Sequence, residues 1–190
     1  MEENIIDNFI NNLFQNRNLI GSSTKWANWM AQLTITTCKF CVEHHGSIID
    51  ISVLNHKTEV EAHFRCKCVY VPMRVKNVGT ATNLGYNGAD AQLYYLNRLP
   101  NYYISKADAR TLGWKDWKGN LNAVLPGTMI GGDLYKNRES KLPSAVGRVW
   151  HEADINYTDG YRNRQRILYS SDGLIFVTYD HYQTFYEITQ

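Results

Sequence analysis

The sequence predicts an α+β fold for the C-terminal part of the chain, preceded by a small helical module that carries cysteines. Three observations support this reading. Two short helical patterns beginning at residue 89 are followed by a run of strand-like segments, an order that marks α+β rather than alternating α/β architecture. Those segments are punctuated by Asp159-Gly160 and Asp172-Gly173, where Gly accepts the positive φ that a tight hairpin needs. All four cysteines, Cys38, Cys41, Cys66 and Cys68, lie in the first half, with histidines among them.

Composition narrows the class. The 190 residues are 44% hydrophobic and include 13 Tyr and 5 Trp, enough for a packed core and unlike a disordered chain. The net charge is only +2, so nucleic-acid binding must come from local clustering of cations rather than from a polycationic field. The start, MEENIIDNFINNLF, opens with acids where a secretory signal would have a basic region. No apolar run approaches the ~20 residues that span a bilayer. The expectation is a protein with no membrane association, cytoplasmic as made and exported, if at all, by a signal-independent route or within a particle. In that setting the cysteines point to metal ligation or reduced thiols before a disulfide framework.

Taken in order, residues 2–20 place Ile5, Ile6, Phe9, Ile10, Leu13 and Phe14 near helical spacing, which predicts an amphipathic helix. Residues 21–37 predict a second helix capped near Ser23 or Thr24, with Trp26, Trp29, Met30 and Leu33 on its core face. Cys38-x2-Cys41 and the later His63-x2-Cys66-x-Cys68 have the spacing of a structural zinc site. Thiolates two residues apart take two corners of a tetrahedron, and a second pair closes it. Four of these five residues would be the ligands, since His63, Cys66 and Cys68 compete for two places. His44, His45 and His56 read as surface residues. Residues 74–88 are polar and glycine-rich and predict a linker, so the boundary is set near residue 80, dividing 1–79 from 80–190. From Ala89 a helix carries Ala91, Leu93, Tyr94, Leu96 and Leu99 and is stopped by Pro100. Ser105 caps the next, which runs to Leu112 with Gly113 behind it.

The strands carry the chemistry. Along RVWHEADINY, alternation puts Arg148, Trp150, Glu152 and Asp154 on one face and Val149, Ala153, Ile155 and Tyr157 on the other. A charged face is either solvated surface or the floor of a site. The following YRNRQR predicts a second strand, with Arg162, Arg164 and Arg166 aligned beside that face. Cations around a carboxylate keep it ionised, and the same cations bind phosphate through the planar guanidinium fork. His181 adds a group that titrates near neutrality. Carboxylate, cations and imidazole together suit RNA transesterification.

Two resemblances add to this. The block around Cys38-x2-Cys41, His-Gly, His63-x2-Cys66-x-Cys68 and the strand VYVP resembles the C-terminal end of the Mu F-like phage head morphogenesis proteins. It covers roughly residues 35–75. Phe64 stands where that family usually has proline, and the long N-terminal body of such proteins has no counterpart. Residues 86–190 are similar to the barnase family of guanyl-preferring ribonucleases through LPNYYISKADARTLGW, KGNL, IGGDLYKNRESKLP, WHEADINYT, RILYSSD and DHYQTF. This second resemblance implies helices packed on an antiparallel sheet and an endonuclease that cleaves single-stranded RNA 3′ of guanine. The products would be a 2′,3′-cyclic phosphate and then, more slowly, its hydrolysis product.

The family likeness also implies roles. Glu152 is the general base and His181 the general acid, Lys106, Arg162 and Arg166 hold the phosphate, and Asp154 fixes the arginines. Asn137, Arg138 and Glu139, with Tyr182, read the base. Arg164 and His151 read as surface residues. No cofactor is implied for catalysis, so any structural zinc belongs to the first module. A small acidic inhibitor of the barstar type is the implied protein partner. Together the two resemblances suggest a toxin or effector fused to a phage-derived adaptor, with components of a phage or phage-like particle as further partners. The competing expectation is a particle protein that keeps the fold as a binding module.

Overall fold

The structure is a computed structural model that describes residues 24–31, 33, 37–51, 66 and 68–190; the expected helix at 2–20, His56 and His63 lie outside them. The chain divides into two compact units, Met1–Arg74 with Asn137–Ser144 and Val75–Lys136 with Ala145–Gln190.

In the first unit, strands β1 (Trp26–Met30), β2 (Ile48–Asp50) and β3 (Val69–Pro72) form an antiparallel sheet in the order β2-β1-β3. A six-residue helix, α1 (Lys39–His44), lies between β1 and β2 in the chain. The expected second helix is therefore wrong, since its centre is β1. Helical spacing would put Met30 and Leu33 in the core with the tryptophans. Instead Trp26, Ala27 and Trp29 are buried while Met30 and Leu33 are exposed. Aromatic residues suit a pleated surface, and pairing on both sides gives β1 the ladder partners that a short isolated helix would lack. VYVP forms the strand that its composition predicts.

The segment Asn137–Ser144 is a closed loop in this unit. The Asn137 carboxamide accepts from Leu142 N at 3.0 Å and donates to Leu142 O at 2.8 Å, and Leu142 is buried. Ile48 N donates to Lys141 O at 2.8 Å, so the loop pairs with the start of β2.

The second unit is built on a seven-stranded sheet in the order β4-β10-β9-β8-β7-β6-β5. Its strands are β4 (Arg74–Asn77), β5 (Tyr103–Ile104), β6 (Met129–Tyr135), β7 (Trp150–Asp154), β8 (Arg166–Ser170), β9 (Ile175–Thr178) and β10 (Tyr186–Thr189). The pairs from β6 through β10 are antiparallel, and β5 runs parallel to β6. Helices α2 (Ala89–Leu96), α3 (Lys106–Thr111) and α4 (Leu121–Val124) precede the main strands in the chain. The α+β expectation for this unit thus agrees with its mixed architecture.

Two clusters make the core. Ala89, Ala91 and Leu93 of α2 pack with Ala153, Ile155, Ile167, Ile175 and Val177 from the sheet. Ala109, Trp114, Leu121, Met129, Ile130 and Tyr157 form the second cluster. Ala153 and Ile155 thereby commit one face of β7 to the core, and alternation sends Glu152 and Asp154 to the other. Helix α2 ends at Leu96 with Asn97 in the left-handed region (φ 51°), three residues before the proline expected to stop it. Helix α3 starts as expected, with Ser105 accepting from Asp108 N at 3.1 Å.

Residues 74–88 are not a linker. They supply β4 and a turn bound to the buried carboxylate of Asp90, which accepts from Gly79 N at 2.8 Å, Ala81 N at 3.0 Å and Thr82 Oγ1 at 3.3 Å. Gly88 is needed there, because a Cβ would sit 1.8 Å from Thr82 Oγ1. Polar, glycine-rich composition here reflects a turn wrapped around an acid, which a composition argument reads as a linker.

Candidate active site

The candidate site is assembled on the β7 face turned away from α2. Glu152 has little exposed surface, and its two oxygens have separate partners. Lys106 Nζ lies 2.6 Å from Oε1, and the Tyr182 hydroxyl donates to Oε2 at 2.5 Å. Burial alone would raise the Glu152 pKa. The Lys106 and Tyr182 hydrogen bonds, with the charges of Lys106 and Arg162, outweigh burial and hold it below the ordinary carboxylate value. Glu152 is therefore an ionised, partly enclosed carboxylate at neutral pH. The reciprocal effect on Tyr182, from burial and then from Glu152, pushes its phenol upward and keeps it a donor.

Lys106 opens α3, and its own backbone N–H donates to Asp133 Oδ2 at 3.1 Å. Asp133 faces Glu152 across β6 and β7 because the register shifts between Gly131 and Asp133, with Gly132 at φ 90°. Such a bulge needs a residue tolerant of positive φ and re-aims the side chain that follows. Sequence reading passed over Asp133. The signal was present in the Gly-Gly-Asp that interrupts an otherwise strand-like run.

Asp154 is fully buried and charge-paired. Arg162 donates through Nε to Oδ2 at 2.7 Å and through Nη2 to Oδ1 at 2.6 Å, a bidentate fork. Burial would lower the Arg162 pKa, and Asp154 more than offsets it. Arg166 Nε lies 3.0 Å from Asp154 Oδ1 without hydrogen-bond alignment, so that contact is Coulombic. Its Nη1 donates to Asn163 O and Gln165 O, both at 2.7 Å, and the side chain is almost wholly covered.

The expected strand through all three arginines is not observed. Strand β8 begins only at Arg166, so Arg162 and Arg164 lie in the connection from β7, and Asp159-Gly160 is not a two-residue hairpin. Arg162 reaches the site from that loop because Asn163 and Asn156 brace it. Asn163 Nδ2 donates to Ile155 O at 2.9 Å and Asn156 Nδ2 to Gln165 Oε1 at 2.7 Å. Arg164 is exposed, as the sequence reading had it. His151 is half-buried and stacks on Tyr169 with ring centroids 5.5 Å apart.

His181 is exposed on the loop between β9 and β10, and its ring lies 4.8 Å from that of Tyr182. Both residues are left-handed, at φ 63° and 69°, an uncommon pair for side-chain-bearing residues. Asp180 holds them there. Its Oδ1 accepts from Thr178 Oγ1 at 2.9 Å, Gln183 N at 3.0 Å and Thr184 N at 2.9 Å, and its Oδ2 from Thr184 Oγ1 at 2.6 Å. Sequence reading did not single out Asp180, although an Asp followed closely by Thr is a side-chain turn signal. Tyr182 also stacks on Tyr135 at 5.2 Å, which fixes the ring that carries the Glu152 donor.

Glu152, Asp154, Lys106, Arg162, Arg166, His181 and Tyr182 thus all belong to the second unit. Asn137, Arg138 and Glu139 belong to the first, in the closed loop. Asn137 is a scaffold there, since its carboxamide is spent on Leu142, whereas the Glu139 carboxylate is largely exposed and has Lys141 Nζ at 3.4 Å. Cys41, Cys66 and Cys68 bring their sulfurs within 4.8 Å of one another.

A family model described as ribonuclease matches residues 88–189. Ribonucleases of Heyndrickxia coagulans, Bacillus intermedius and Bacillus pumilus are each 54% identical over 103 residues, which is 54% of this chain. The matched stretch covers 94% of the first protein and 64%, just under two thirds, of the other two. The ion-paired carboxylate, the bidentate arginine and the histidine loop all fall inside it. The chain therefore belongs to the ribonuclease family, with residues 88–189 as its barnase-type domain.

Proposed function

We propose that the chain is a guanine-preferring endoribonuclease acting on single-stranded RNA by transesterification. The observation that carries this reading is Glu152, held ionised between Lys106 and Tyr182 on a face that also presents the Asp154-anchored Arg162. In the first step Glu152 takes the 2′-OH proton as that oxygen attacks phosphorus. The P–O5′ bond breaks, and the leaving oxygen takes a proton from His181. A 2′,3′-cyclic phosphate results. In slower hydrolysis the roles reverse, with His181 accepting a proton from water and Glu152 returning one to the 2′-oxygen. Lys106 and Arg162 meet the charge developing on the phosphoryl oxygens. Two donors of Arg162 are used on Asp154, and the remainder of its fork serves the substrate. Arg166, being covered, acts through its positive field. The reaction asks nothing of a metal ion, and excess chelator is expected to leave the rate of the chemical step unchanged.

Guanine preference is assigned to the closed loop. Its backbone N–H groups and the exposed Glu139 carboxylate match the acceptor and donor edge of an unpaired guanine. RNA cleavage by wild type, Glu152→Ala and His181→Ala tests the reading. Each variant should lose about 10²–10⁴-fold in rate. An inert wild type on guanine-containing RNA, or variants as fast as wild type, would overturn it. Equal cleavage after all four bases would remove the preference alone.

For residues 1–79 we propose an adaptor role that places the nuclease in a phage-like particle as a toxin or effector, with delivery independent of a signal peptide. The support is the cysteine and histidine motif, and co-purification with particle fractions is the check. A cell that makes an active ribonuclease needs an inhibitor. We propose a compact acidic protein of the barstar type, docking on the second unit over Arg162 and His181. Undiminished cleavage in an excess of barstar would exclude a shared docking surface.

A further inference from the structure

We propose that Cys38, Cys41, Cys66 and Cys68 form one tetrathiolate site for a zinc-class divalent ion, with the indole N–H of Trp29 donating to the Cys68 sulfur. This inference stands apart from the ribonuclease reading.

The geometry carries it. Cys41 Sγ and Cys66 Sγ are 3.8 Å apart, too far for a disulfide at ~2.05 Å. That distance is the edge of a sulfur tetrahedron around an ion with Zn–S of about 2.3 Å, namely about 3.8 Å. The Cys68 sulfur completes a triangle, all three atoms lying within 4.8 Å of one another, and Cys41 and Cys68 are buried. No disulfide joins the four cysteines.

Cys38, exposed and outside that triangle, is the fourth ligand we assign. It is the residue ahead of α1, its Sγ accepts from Cys41 N at 3.4 Å, and its side chain also acts on that of Cys41. A backbone N–H turned onto sulfur at the head of a Cys-x2-Cys turn stabilises the negative charge a bound thiolate carries. Of the five candidates left open by the spacing, the proposal takes the four thiols, and His63, which lies outside the described residues, is the alternative that the test decides.

A second observation comes from the surrounding core. The small cluster here consists of Trp29, Ala31, Cys41 and Cys68, with Ile49, Cys66 and Tyr70 against it, so sulfur makes up much of its interior. Trp29 is 93% buried by its 7% exposure, yet its Nε1 has no partner of hydrogen-bond geometry among the described residues. Trp29 and Cys68 pack in the same buried cluster, which places the indole beside that thiol. A buried N–H left unsatisfied is costly, and a thiolate held by a metal is the acceptor that satisfies it. Each ligating thiol gives its proton to water as the ion binds. A unit whose described elements are three short strands and one six-residue helix is also of the size that commonly needs a staple.

The test uses the full chain, reduced and reconstituted with Zn(II) or Co(II). Metal content, the visible bands of tetrahedral Co(II) thiolate and competition with a chromophoric chelator are the readouts. Wild type and His63→Ala should each bind one ion per chain with tetrathiolate spectra, and each Cys→Ser variant should bind at least tenfold more weakly. Trp29→Phe should weaken binding by about 10–100-fold, the range for a lost outer donor, with the same spectrum. Wild type that stays metal-free after reconstitution, or a Cys41–Cys66 disulfide found by mass, would overturn the site. Metal loss in His63→Ala with retention in Cys38→Ser would replace Cys38 by His63. Unchanged affinity in Trp29→Phe would remove the indole from the site.

Discussion

The charge on Glu152 is set by a contest between burial, which favours the neutral acid, and the Lys106 and Tyr182 contacts, which favour the anion and win. The sign of two experiments follows. Removing the hydroxyl in Tyr182→Phe deletes one contact that lowers the pKa, so the pKa rises and less of the base is ionised at a given acidic pH. The acid limb of kcat/KM should move to higher pH while the plateau falls modestly. A limb that stays in place or moves lower would show that Tyr182 does not tune the carboxylate. Lys106→Ala should move the limb further, since Lys106 provides the larger lowering contact, and should also lower the plateau by removing a phosphate cation. The same depressed pKa is a stability statement. Its contribution is complete above the unfolded carboxylate value of about 4.3 and is lost as pH falls through the lower folded value. Acid unfolding monitored at fixed temperature should therefore be less steep in Glu152→Gln than in wild type.

Loops between strands decide whether the catalytic groups meet, and Asp180 is the clearest case. Four donors converge on its carboxylate, and they hold His181 and Tyr182 in left-handed conformations that neither residue prefers. Asp180→Ala should cut kcat by tenfold or more while costing about 1–3 kcal/mol of stability, the scale for donors deprived of their acceptor. Normal turnover with the same Tm drop would make Asp180 merely structural. The β8–β9 turn shows the same logic without catalysis. Arg148 grips Asp172 with Nη2 at 2.7 Å, and its hydrogen bond is the main reason that the Asp172 carboxyl falls from 3.8 to about 2. This folded-state pKa is depressed, so the stabilisation is present above pH 3.8 and lost toward pH 2, and Arg148→Ala should flatten stability across that window. What was readable in advance divides along the same line. Alternation found the face of β7 because hydrophobic and charged residues separate there, and Ser105 announced α3 through local hydrogen bonding. Alternation failed for Arg162 because its position comes from Asn156 and Asn163, which lie outside any strand, and from the ion pair with Asp154 at the end of β7. Helical spacing failed at Trp26–Met30 because two distant strands, not local spacing, settle that conformation.

At the scale of the molecule the question is how much of the chain the nuclease needs. Apart from Arg74 at the start of β4, the sheet from β4 to β10, both core clusters and the ion-paired site belong to Val75–Lys136 and Ala145–Gln190. Strand β4 lies at the far end of that sheet from β5, and the turn that follows it closes on Asp90 with the three hydrogen bonds described above. A cut should therefore fall before Arg74 and not at residue 80, which would remove an edge strand and expose β10 beside it. Residues 74–190 alone are expected to unfold in one cooperative transition and to cleave RNA within about tenfold of the full chain, a difference of about 1.4 kcal/mol in transition-state free energy. A fragment starting at residue 80 should be less stable, with a lower midpoint in denaturant. The loop at 137–144 makes the outcome informative. Ile48 N donates to Lys141 O, and the fragment loses that bond. If the loop depends on it, the fragment will keep kcat on minimal substrates but raise KM for guanine-containing RNA, because in the proposed mechanism base contacts act in binding while Glu152 and His181 act in chemistry. A fragment that folds yet loses kcat altogether would mean that the first module takes part in catalysis, and the division of labour proposed for the two modules would fall.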